Sequence, residues 1–187
     1  MSRNYTHSKG FNITSLNGVY GIYLFRNIEG DVTYIGMCNN DFKNRLNSHA
    51  YGSHGKLAPN VQFLQVIIAD PNKHPLHVLE HLLIWYLRPS KNYALWLFAG
   101  AKDEKSVKTI AKARNLHIRH SIENFLLSFD SVIIEREWED DSRFKRYGET
   151  ESLNSRRIDC SGEDNCLCFK CLVVKRRRWL KTKGDSI

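Results

Sequence analysis

Two runs of β-branched and aromatic residues, Val19-Tyr20-Gly21-Ile22-Tyr23-Leu24-Phe25 and Val32-Thr33-Tyr34-Ile35-Gly36, flank the turn-prone Asn27-Ile28-Glu29-Gly30-Asp31. Runs of this length and composition, joined by Asn, Gly and Asp, form a β-hairpin, here over residues 18–37. Alternation along a strand sends Tyr20 and Tyr23 to opposite faces. From Asp41 to Tyr51 the period becomes helical, with Asp41 as N-cap and Phe42, Leu46 and Ala50 four residues apart. Arg45 and His49 then project from one face of that helix. A Gly/Ser/His-rich loop containing His54 follows, and Val61 to Ala69 reads as a third, buried strand.

Pro71 and Pro75 bracket a helix start and Pro89 marks its end, which predicts a helix over Pro75–Arg88. Its apolar stripe is Leu76, Leu79, Leu83, Ile84 and Leu87, and Glu80 falls on the same side. A carboxylate there needs a cation, a donor or an opening to water. Either it is a rim glutamate reaching solvent or it has work to do. Asp103–Asn115 and Ser121–Phe129 read as helices and Ser131–Trp138 as a strand, followed by a highly charged stretch between Glu135 and Glu151. The expectation is an α/β (α+β) protein. It has a three-stranded antiparallel sheet flanked by helices and a Cys-rich, basic C-terminal extension.

Composition bounds what such a fold can do. With 187 residues, 42% hydrophobic and 11% aromatic, the chain can build a core without disulfide staples. No apolar run approaches the roughly 18 residues that cross a bilayer, and the polar Met1–His7 start points to a cytoplasmic address. Lys plus Arg number 28 against 20 Asp plus Glu, a formal +8 that favours a polyanionic partner. Part of that excess is Lys175, Arg176, Arg177 and Arg178, either a phosphate-contacting arm or a solvated terminus. Cys160, Cys166, Cys168 and Cys171 lie within twelve residues. They suit tetrahedral Zn²⁺, although only one C-x-x-C hook is present, and unligated tail thiols are the alternative. Cys38 reads as a small buried apolar side chain.

Gly21-Ile22-Tyr23, a gap of ten residues and Tyr34-Ile35-Gly36 spell a two-part signature, followed in order by Arg45, His49, Glu80 and Asn92. Over residues 18–95 the chain resembles the GIY-YIG nuclease superfamily. The arginine and histidine arrangement is similar to its restriction and homing endonucleases. The Leu79–Asn92 segment is similar to the bacterial excision-repair nuclease subunit. The resemblance implies metal-dependent phosphodiester hydrolysis, and it implies a role for each landmark. Tyr23 activates water, His49 relays the proton and Arg45 faces the developing charge. Glu80 holds one Mg²⁺ or Mn²⁺. Tyr34 orients phosphate or water, and Asn92 braces the site. Taken singly, the tyrosines are core residues, Arg45 and His49 surface residues and Asn92 a turn residue; their joint order overturns that reading. Two departures stand out. Met37 occupies the place where many relatives carry Lys or Gln, and Arg45 lies one residue further from Tyr34 than in the repair enzymes.

The expected organisation is an N-terminal extension (1–17), a catalytic domain (18–100), a mixed extension packed on it (101–138), and a linker with Cys-rich module and basic tail (139–187). The expected substrate is double-stranded DNA, cut by a restriction, homing or mobile-element type enzyme acting as a homodimer or by sequential nicking. The alternatives are a non-catalytic nucleic-acid-binding or scaffold protein on the same fold, and a nuclease for branched DNA or RNA.

Overall fold

The computed structural model describes residues 7–8, 11–39, 41–51, 61–92 and 96–136. In chain order these form β1 (His7–Ser8), β2 (Phe11–Asn12), β3 (Gly21–Arg26), β4 (Val32–Cys38), α1 (Phe42–Tyr51), β5 (Phe63–Ile68), α2 (Leu76–Leu87), α3 (Glu104–Ala113), α4 (Ile122–Leu127) and β6 (Ser131–Glu135). Short 3₁₀ turns occupy Thr14–Leu16 and Trp96–Phe98. β1 and β2 pair with each other, and the main sheet has the order β4-β3-β5-β6 with every pairing antiparallel.

The sheet therefore has one strand more than the three expected. β6 adds to β5 with Phe63 opposite Glu135 and Ile67 opposite Ser131. Its adjacent Ile133 and Ile134 are both buried, one on each side of the sheet. β3 is buried along its whole length, flanked by β4 and β5 and covered on both faces. One face carries Tyr23, Phe25, Leu64 and Val66 against Phe42 and Leu46 of α1 and against Phe11, Ile13 and Leu16. The opposite face carries Ile22, Leu24, Ile35 and Ile67 against α2, α3 and α4.

Asp41 starts α1 as expected, accepting from the N–H groups of Lys43 at 2.8 Å and Asn44 at 3.3 Å. For α2 the expected stripe is too narrow: Val78, Leu82, Trp85 and Tyr86 are buried too, because the helix lies between the sheet and α3. His77, Glu80 and His81 are its less buried positions. Arg88 ends it in the left-handed region (φ 52°) with its N–H on Ile84 O, and Pro89 follows.

At the tip of the hairpin the buried Arg26 guanidinium donates to Gln65 Oε1 from Nε (3.0 Å) and Nη2 (2.6 Å) and to Gly30 O from Nη1 (2.8 Å). Gln65 in turn donates to Ser131 Oγ at 3.1 Å. This polar link ties the hairpin turn to β5 and β6. Among the described residues no helix is long and apolar enough to cross a membrane.

Candidate active site

Register decides how the two halves of the signature meet. Tyr23 of β3 stands opposite Gly36 of β4, and Gly21 stands opposite Ile68 of β5. A Cβ at Gly36 would run into the Tyr23 hydroxyl and Cζ, and one at Gly21 would run into the Ile67 carbonyl. The two glycines are thus steric gaps: one lets the Tyr23 phenol lie across β4, the other lets β3 and β5 approach.

Tyr23 has no exposed surface. Its ring packs in a cluster with Phe25, Tyr34 and Phe42 at centroid distances of 5.3, 6.2 and 6.2 Å. From α1, Arg45 donates its Nε–H to the Tyr23 oxygen at 3.0 Å. Tyr23 is also hydrogen-bonded to Tyr34. The polar chain thus runs Arg45, Tyr23, Tyr34. Tyr34 keeps part of its surface exposed, so a water approaching the pair meets Tyr34 before Tyr23. Tyr20, on the other face, is exposed and outside this group.

Burial, followed by the neighbouring Tyr34, drives the Tyr23 phenol far above its ordinary pKa; Arg45 opposes this without overcoming it. Burial and Glu80 raise Tyr34 as well. For Arg45, burial works against the charge, but Tyr23, Tyr34 and Glu80 together raise its pKa.

Glu80 reaches this group from α2, on the other side of the sheet edge. β4 is an edge strand, so the outward main-chain groups of Thr33, Ile35 and Met37 lack a neighbouring strand. Each of these residues is met by something else. Lys91 N–H donates to Thr33 O at 2.8 Å. The Asn92 amide takes both polar groups of Ile35, its Oδ1 accepting from the N–H and its Nδ2 donating to the C=O, each at 2.8 Å. Met37 N–H donates to the Glu80 carboxylate. Burial pushes the Glu80 pKa up to about 7, with Arg45 and the Met37 N–H pulling the other way. The carboxylate is held near the aromatic cluster with less positive charge around it than its burial demands.

The structure thus brings together Tyr23, Tyr34, Arg45 and Glu80, and it engages Asn92 with the strand beside them. His49 lies on α1 one turn beyond Arg45, with its side chain outside the described residues. His54, the four clustered cysteines and Lys175 to Arg178 also lie outside them. Two contributors escaped the sequence reading, the Met37 amide and the Gly36 gap. Knowing that β4 is an edge strand would have pointed to the first, and the β3–β4 register to the second. Among the described residues no group of three or more His, Cys, Asp or Glu side chains gathers.

Residues 19–94 match the family model described as the GIY-YIG catalytic domain. No curated protein and no solved structure matches the chain.

Proposed function

Residues 19–94 belong to the GIY-YIG catalytic-domain family, which implies nuclease activity, and on that premise we propose that the protein is a metal-dependent endonuclease hydrolysing DNA phosphodiester bonds. The observation that carries this reading is the hydrogen-bonded chain from Arg45 through Tyr23 to Tyr34, with the Glu80 carboxylate beside it.

Hydrolysis requires water to form a bond to phosphorus as the bond to the leaving sugar oxygen breaks. One proton leaves the water and one reaches the leaving oxygen. We assign the water-side proton to the tyrosine pair acting together, with Tyr34 nearer the water and Tyr23 fixing its orientation. Arg45 carries a permanent forked charge suited to the phosphorane oxygens and offsets phenolate character in the pair. His49 keeps its assignment as the group that exchanges the proton with solvent. Asn92, with its amide given over to Ile35, is a positioning residue: it holds the edge of β4 where Glu80 can reach Met37.

A half-buried carboxylate with one N–H donor and a pKa of about 7 suits a hard divalent cation. Glu80 would hold Mg²⁺ or Mn²⁺, which when bound supplies positive charge at the leaving oxygen. The clustered cysteines as a Zn²⁺ site and the Lys175–Arg178 arm as a DNA contact complete the reading. One such site per chain makes a double-strand break the work of two copies or of two successive nicks. We place the protein with restriction, homing or mobile-element enzymes on the resemblance of its arginine and histidine arrangement to theirs.

The test is cleavage of supercoiled plasmid, branched DNA and RNA by the purified full chain, with Mg²⁺ and with EDTA. Expected are duplex DNA cleavage with Mg²⁺, none with EDTA, and losses of about 10²-fold or more for Glu80→Gln and Arg45→Ala. Binding without cleavage in every arm would favour the non-catalytic reading, and cutting confined to RNA or junctions would replace the substrate.

A further inference from the structure

Beyond the family-matched segment, α3 and the chain after it border an open cleft of about 650 Å³ lined by Lys105, Lys108, Lys112, His117, Arg119 and Glu104. Residues 102–120 carry Lys102, Lys105, Lys108, Lys112, Arg114 and Arg119 against only Asp103 and Glu104. Both acids are engaged by the fold. Asp103 caps α3, accepting from the Ser106 N–H at 2.7 Å and the Ser106 hydroxyl at 2.6 Å. Glu104 accepts from the Ile122 N–H at 3.1 Å, joining α3 to α4, and pairs with Lys108 at 2.7 Å. Lys112 and Arg119 make no ion pair with any described residue.

The helix face that carries the lysines is fixed toward the cleft. Val107 and Ala111 of the same helix are fully buried, which fixes the opposite face outward. Lys105, Lys108 and Lys112 follow one another at i, i+3 and i+7, and seven residues of helix rise about 10 Å. That length spans about three phosphates of one strand at about 3.4 Å each. A cleft whose cations are spread over that length fits a polyanion better than a single small anion. α3 also rests on α2, the helix carrying Glu80, so an anion held here is fixed to the same body as the candidate active site.

We propose that this cleft tracks the phosphate backbone of the nucleic acid that the nuclease domain cuts. The proposal rests on the nuclease reading for the identity of its ligand. Arg119 supplies a forked contact, Lys105, Lys108 and Lys112 supply point charges, and the recognition is indifferent to base sequence.

The test uses the full chain carrying Glu80→Gln, in EDTA, with fluorescence anisotropy of a labelled DNA duplex from about 50 to about 200 mM KCl. Adding Lys105→Gln, Lys112→Gln and Arg119→Gln is expected to weaken binding about tenfold or more. The slope of log affinity against log salt should become shallower by about 2 to 3, at about 0.9 for each phosphate no longer neutralised. The charge-retaining Lys105→Arg with Lys112→Arg should keep both affinity and slope, and the exposed Lys73→Gln, distant in sequence, should change the slope by no more than the share of a single phosphate. Parallel slopes with affinities within about twofold would overturn the cleft while leaving a chain that still cuts DNA as a nuclease. Retained salt-sensitive binding with no cleavage by the unsubstituted chain would overturn the nuclease reading and leave the cleft standing. Absence of DNA binding, or charge-dependent capture of anionic vesicles in preference to the duplex, would overturn the assigned ligand.

Discussion

At the scale of single residues, the site depends on what each side chain is denied. Tyr23 is denied water, Gly36 a side chain, and Glu80 enough positive charge for its burial. The last has a measurable consequence for the metal-free protein. Glu80 titrates at about 7 when folded and, at its ordinary value of 4.5, when unfolded. Between those values the folded state binds the extra proton, so its contribution to stability is full below about pH 4.5 and is lost as pH rises through about 7. The gap corresponds to something on the order of 3 kcal/mol. Melting followed by circular dichroism in EDTA should therefore show a lower Tm at about pH 8 than at about pH 5.5, with Glu80→Gln removing the difference and Mg²⁺ raising the Tm at the higher pH. A melting temperature independent of pH in both proteins would contradict the buried carboxylate. Tyr23, Arg45 and Glu80 could be singled out in the sequence only because they follow one another in the order that the family resemblance implies, and the structure brings them into one neighbourhood. The Met37 amide was not legible, since a main-chain donor leaves no mark in a side-chain pattern. Exposure was equally hidden: two tyrosines in adjacent strands read alike, yet one is sealed and the other is partly open.

At the scale of elements, the edge of β4 is where fold and chemistry join. Lys91, Asn92 and Glu80 take the places a fifth strand would fill, and the segment after α2 thereby blunts an edge that could otherwise pair with another chain. Asn92→Ala removes two hydrogen bonds at once, at a cost of about 1–3 kcal/mol. Hydrogen exchange should show the Ile35 amide becoming markedly faster, with Met37 following as the strand loosens, while Leu24 in the sheet centre changes only by the global loss. Unchanged exchange at Ile35 would contradict the clamp. The hairpin, α1, β5 and the ends of α2 were readable from periodicity, turn residues and prolines. The fourth strand was readable as a strand but not as a partner of β5, because pairing across some seventy positions is not written in either segment. The wide burial of α2 was hidden for a similar reason: a stripe describes one covered face, and α3 covers part of the other.

At the scale of the whole molecule, a family-matched segment carries the candidate active site, and residues 96–136 build onto it a strand, two helices and a basic cleft. On the proposed reading, affinity for the backbone and reactivity at one phosphate reside on different elements of the fold. The central claim is that Arg45 and Glu80, from α1 and α2, act on the same scissile phosphate. A double-mutant cycle tests it most directly, using single-turnover rates of duplex cleavage by the unsubstituted chain, Arg45→Ala, Glu80→Gln and the two combined. If both groups act on one transition state, the combined variant loses much less than the product of the separate losses, a coupling of about 1 kcal/mol or more. Losses that simply multiply, or single variants that cut at the unsubstituted rate, would contradict the account.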